Sequence, residues 1–119
     1  MADQRAVAMQ PEDITRLFVE RANAGDAEGL AALYEVDAVV AYPPGATTVG
    51  REAIRALYEQ MVARRPRFKP EAPLGTLRIG DLALTATRAS DEAGARAQVA
   101  RRQADGSWLR ILDRPDFRG

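Results

Sequence analysis

Apolar residues in this chain are spaced mostly as in helices up to residue 66 and as in strands after it, and that asymmetry most constrains the fold. Ile14, Leu17, Phe18 and Ala22 make one helical stripe, and Ile54, Leu57, Tyr58, Met61 and Val62 make another. Between them Asp26 can cap a shorter helix whose face is Leu30, Leu33 and Tyr34. One strand-like run, Asp37 to Tyr42, interrupts the helices and is stopped by Pro43-Pro44-Gly45. Beyond residue 66 the chain reads as extended segments: Phe68 to Ile79, Leu82 to Ala89, Ala95 to Gln103 and Ser107 to Asp113.

The punctuation agrees with this reading. Pro11-Glu12-Asp13 opens the first helix with a proline and two acids facing the positive end of its dipole, and Gly25 suits a left-handed stop. The third helix opens near Gly50-Arg51-Glu52 and closes at Arg64-Arg65-Pro66, with cations at its negative end. Pro70 and Pro73 demote the first half of the segment 68–79 to an edge or a bulge. Ser90-Asp91-Glu92-Ala93-Gly94 reads as a polar loop, and Asp105-Gly106 is a hairpin signal. The order α-α-β-α-β-β-β-β predicts an α+β fold, a curved antiparallel sheet wrapped around three helices. A chain of 119 residues has room for one such domain, expected over residues 11–119, with residues 1–10 as a flexible N-terminal segment.

Composition removes whole classes of chemistry. The chain has no cysteine and no histidine, which excludes disulfides, thiolate nucleophiles, imidazole triads and the usual zinc sites. Acid–base chemistry is left to Asp, Glu, Tyr or Arg. No metal set and no cofactor motif is recognisable. Seventeen basic residues balance seventeen acidic ones, which argues against a nucleic-acid surface. There is no apolar run of membrane-spanning or signal length, so a cytoplasmic protein is expected. Lys69 is the single lysine, and the bias toward arginine and alanine fits a GC-rich bacterial genome.

Asn23-Ala24-Gly25-Asp26, Leu33-Tyr34, Asp37-Ala38-Val39-Val40, Gly50-Arg51-Glu52-Ala53-Ile54 and Asp105-Gly106-Ser107-Trp108 come in an order shared with nuclear transport factor 2-like proteins. Over roughly residues 11–115 the chain resembles their SnoaL-like and ketosteroid-isomerase-like branch. The resemblance implies a cone-shaped domain enclosing an apolar pocket, commonly dimeric through the outer face of the sheet. It does not imply one reaction, because the fold hosts isomerases, cyclases, hydrolases, dehydratases and non-catalytic binders. Steroid isomerisation needs a carboxylate base, with a tyrosine and a protonated aspartic acid as oxyanion donors. Those three positions fall here on Tyr42, Phe18 and Gln98, so that set is absent.

Strand alternation indicates what else the pocket holds. If Gln98 faces inward, Ala100 and Arg102 share its side. On the last strand the same count puts Leu109, Ile111 and Asp113 inside, with Trp108, Arg110 and Leu112 on the other face. The expected pocket is therefore Phe18, Tyr42, Gln98, Arg102, Ile111 and Asp113, with Asp113 as the candidate catalytic acid or base. A structural role for Asp113, paired with an arginine such as Arg88 or Arg102 or capping the turn into Arg114-Pro115, is the alternative. The expected function is binding of a small, largely apolar molecule in the cone, with cofactor-independent acid–base chemistry of isomerase, cyclase or hydrolase type open to it. The competing expectation is a non-catalytic ligand-binding or assembly module. An outer sheet face carrying Leu77, Trp108 and Leu112 predicts a homodimer.

Overall fold

The computed structural model describes residues 5–88 and 96–115. Three helices, α1 (Asp13–Asn23), α2 (Ala27–Ala31) and α3 (Arg51–Ala63), lie against a seven-stranded sheet. Its strands are β1 (Tyr34–Val40), β2 (Thr48–Val49), β3 (Ala72–Pro73), β4 (Leu77–Ile79), β5 (Leu82–Arg88), β6 (Arg96–Arg102) and β7 (Trp108–Arg114). The order across the sheet is β2-β1-β7-β6-β5-β3, with β4 sharing the same edge of β5. The α+β layout is the expected one. One ladder differs from a wholly antiparallel sheet: β1 pairs in parallel with β7, because the first and last strands run the same way when they close the sheet side by side.

Local chemistry explains the element ends. Gly25 ends α1 at φ 72°, where a side chain would be strained. The Asp26 carboxylate accepts from the Gly29 N–H at 2.9 Å and caps α2. Between β6 and β7 the Asp105 carboxylate accepts from both the N–H and the hydroxyl of Ser107, with Gly106 at φ 86°. Other boundaries moved. The expected long segment from Phe68 breaks into β3 and β4, and Tyr34 opens β1 rather than ending the second helix. The polar loop Ser90–Gly94 lies outside the described residues.

Residues 5–10, expected as a tail, make specific contacts. Arg5 forms a two-pronged ion pair with Asp26, at 2.7 and 2.9 Å. Ala8 is buried, and its carbonyl accepts from the Trp108 N–H. Ile14 and Leu17 of α1, Leu30 of α2 and Ile54 and Tyr58 of α3 pack on Tyr34, Ala83, Ala100 and Trp108 of the sheet. Trp108 is thus a core residue and not part of the outer face.

Candidate functional site

Asp113 closes β7, and only 5% of its surface is exposed. It faces the helices opposite the buried Gln98, and a bulge in β7 brings Arg110 to the same side. Ala100 pairs with Arg110, yet the preceding Val99 pairs with Leu112, so Ile111 is an extra residue. An unbroken strand would send residues three apart to opposite faces; one inserted residue brings them to the same face. Arg110 and Asp113 therefore both point inward, and Ile111 sits at the bulge, half exposed, rather than in the pocket wall. Strict alternation failed here for that reason alone.

Four buried polar side chains meet at this point. The Tyr34 hydroxyl donates to Asp113 Oδ2 at 2.5 Å, and the Tyr58 hydroxyl lies 2.8 Å from that of Tyr34. Tyr34 has one proton to give, and Asp113 takes it, so Tyr58 must be the donor to Tyr34. Arg110 Nη1 donates to the same Tyr34 oxygen at 3.3 Å and to Asp113 Oδ2 at 3.4 Å. Its Nη2 reaches Thr15 Oγ1 at 3.4 Å, and its guanidinium lies over the Phe18 ring, 5.4 Å from the centroid. The Tyr34 oxygen is then saturated, while Asp113 Oδ1 and Arg110 Nε, both buried, have no partner among the described residues.

The backbone fixes these groups. Arg51, at the start of α3, donates twice to the Tyr34 carbonyl, and the Arg110 N–H donates to the Leu33 carbonyl. Tyr34 is fully buried. Burial first, and then the charge of Asp113, pushes the Tyr34 hydroxyl well above the usual tyrosine value; the same two causes push up Tyr58. Burial works against the Arg110 charge, but Tyr34 and Asp113 outweigh it and hold the guanidinium more basic than usual.

The other expected site residues divide. Gln98 is buried opposite Asp113 in the ladder, and its Oε1 accepts from Thr85 at 3.2 Å. Phe18 stands edge-on to Tyr58 and Phe68, with centroids 5.6 and 6.1 Å away. Tyr42 lies beyond the end of β1 and is 36% exposed. Arg102 is on the surface, paired with Asp81 at 2.5 Å. The cation beside Asp113 is Arg110, not Arg88 or Arg102. Sequence reasoning missed Tyr34, Tyr58 and Arg110. A signal for Arg110 was present: two charges three apart in Trp108-Leu109-Arg110-Ile111-Leu112-Asp113 require a bulge if both are to be solvated or both buried.

Among the described residues no group of three or more acidic side chains could hold a metal ion, and no helix is long and apolar enough to cross a membrane. A family model described as the SnoaL-like domain matches residues 15–112. The chain belongs to the SnoaL-like domain family. Solved structures of similar shape confirm the nuclear transport factor 2-like fold of this SnoaL-like chain. A protein of Thiobacillus denitrificans, described as a candidate calcium/calmodulin-dependent protein kinase type II association domain, matches with TM-score 0.72 at 22% identity over 93% of this chain and 98% of that one. A candidate dehydratase of the same superfamily from Streptomyces avermitilis gives 0.69 at 19%, over 89% and 94%. A ketosteroid isomerase-like protein of Erwinia carotovora gives 0.66 at 20%, over 87% and 89%. No curated protein matches the sequence. At such identities the neighbours carry the fold and leave the chemistry to the side chains.

Proposed function

We propose that this SnoaL-like domain binds a small, largely apolar molecule between its sheet and helices, and that Asp113 Oδ1 exchanges a proton with it. One observation carries the reading: a buried carboxylate has one oxygen held by Tyr34 and Arg110 and the other unpartnered. A purely structural aspartate normally has both oxygens satisfied, because a buried unpaired acceptor costs about 1–3 kcal/mol. Tyr58 and Tyr34 form a one-way hydrogen-bond chain that fixes the carboxylate plane, so Oδ1 is left to face a reacting group. Thr85 and Gln98 extend the polar floor across the sheet, and Phe18, Leu57, Met61, Val62 and Phe68 provide a half-buried apolar wall. Isomerase, cyclase and hydrolase chemistry all use such a carboxylate, drawing on protein side chains alone.

The test uses 2-naphthol, a flat apolar hydroxyl donor whose fluorescence reports its hydrogen bonding. Wild-type protein should bind it saturably. Asp113→Asn, which still accepts from Tyr34, should bind it about tenfold to a hundredfold more weakly, as expected for loss of one charge-assisted bond. Equal binding by the two proteins would remove Asp113 from the site.

A second reading has its own observation. Leu77, Leu84, Val99, Leu112, Val39 and Val49 are successive cross-strand partners and form one aliphatic row across the outer face of the sheet. Leu77, Leu84 and Leu112 are 66%, 42% and 50% exposed, and members of the row line two shallow concavities of about 320 and 310 Å³. An apolar band of this extent fits a two-fold homodimer, in which each row packs on its counterpart. Light scattering at tens of micromolar (roughly the range an interface of ordinary size withstands) should give twice the monomer mass, and Leu84→Glu should return the monomer. A wild-type monomer would exclude this assembly.

A further inference from the structure

We propose that Arg64, Arg65, Arg67 and Lys69 form an anion-receiving rim, so that the ligand is an amphipathic acid with its apolar body against Phe18, Met61, Val62 and Phe68. This rests on the pocket reading above and narrows its ligand class. The chain is neutral overall, yet four cations fall within six residues just past α3, all exposed. None of the four meets a carboxylate among the described residues, whereas Arg5, Arg16, Arg55, Arg96, Arg101, Arg102 and Arg110 all do. A helix dipole accounts for a cation in the last turn, but its influence fades within that turn and does not reach Arg67 or Lys69.

Two further features tie these charges to the site. Asn23 clamps the segment to α1: its amide donates to the Phe68 carbonyl at 3.0 Å and accepts from the Phe68 N–H at 2.8 Å. That bridge seats Phe68 against Phe18, and the exposed Arg67 and Lys69 are its chain neighbours on either side. Arg65, meanwhile, adopts φ 52°, the left-handed conformation that favours glycine after a helix. An arginine kept at such a position holds local strain, which is often retained where a side chain is needed. A neutral apolar ligand would gain nothing from this rim. A carboxylate or phosphate would meet several cations at once.

Decanoate, decyl phosphate and decanol share one tail and differ in the head group. Calorimetric titration at low salt should show either or both anions binding about tenfold tighter than decanol, the combined effect of several exposed charges. The anion with the larger advantage identifies the head group. Added salt should close the gap. The quadruple variant Arg64→Gln, Arg65→Gln, Arg67→Gln, Lys69→Gln should lose the preference while its decanol affinity stays unchanged. Equal binding of acid and alcohol, or a preference that survives in the variant, would overturn the proposal. If 2-naphthol binds but no decyl compound does, the amphipathic class is wrong and the pocket stands. If neither binds, both readings fall.

Discussion

Replacing Arg110 by methionine should destabilise the domain by about 3–5 kcal/mol, because it leaves the Asp113 carboxylate buried with no cation beside it. For a chain of this size that corresponds to a fall in melting temperature of roughly 10–25 °C. The effect is large because so little else supports the charge. Arg110 and Asp113 are 4% and 5% exposed, and among the described residues the carboxylate is otherwise held only by the Tyr34 hydroxyl. Methionine preserves the bulk of the side chain over Phe18, so the loss reports charge more than packing. Adding Asp113→Asn to Arg110→Met should then raise the melting temperature above that of the single variant, since the amide still accepts from Tyr34 and carries no charge to strand. That sign is the discriminating result. An Arg110→Met protein that melts like wild type would mean that Arg110 does not support the Asp113 side chain.

Stability should also collapse above pH 10, more steeply than surface tyrosines can explain. Both Tyr34 and Tyr58 have hydroxyls pushed above the ordinary tyrosine value of about 10 by burial first and then by Asp113. The folded state holds these protons more tightly than the unfolded chain. The stabilisation is therefore complete below pH 10 and is lost as the pH rises toward the folded-state values, where only the unfolded chain releases the protons. Each tyrosine contributes a slope of about 1.4 kcal/mol per pH unit, so the two together approach about 2.7. Urea midpoints from pH 9 to pH 11.5 measure it, with Tyr58→Phe expected to halve the slope. That substitution removes the outer donor of the chain and leaves the bond from Tyr34 to Asp113. A flat profile over this range would show that the pair is open to solvent.

The helices and the α+β order were legible in the sequence because each rests on information local to a few residues. Ile14, Leu17 and Ala22 repeat at the helical period and are buried on one side of α1. Gly25 and Asp26 stop one helix and cap the next, and Asp105-Gly106 turns β6 into β7, each through a bond spanning no more than three residues. Gln98 was placed by the family resemblance and Asp113 by counting strand alternation from it, and the two face each other in the ladder.

The partners that surround Asp113 were decided by tertiary structure. Tyr34 and Asp113 are 79 residues apart, and no local pattern says that a parallel pairing of β1 with β7 will set their oxygens 2.5 Å apart. The single extra residue at Ile111 reverses the facing of Trp108 and Arg110, and a bulge depends on the partner strand rather than on the residue that forms it. The bulge turned Arg110 inward, while Arg102, the last residue of β6, pairs with Asp81 at the surface. Periodicity determined which segments are helix and strand; the pairing of distant strands determined which charged groups they bury together.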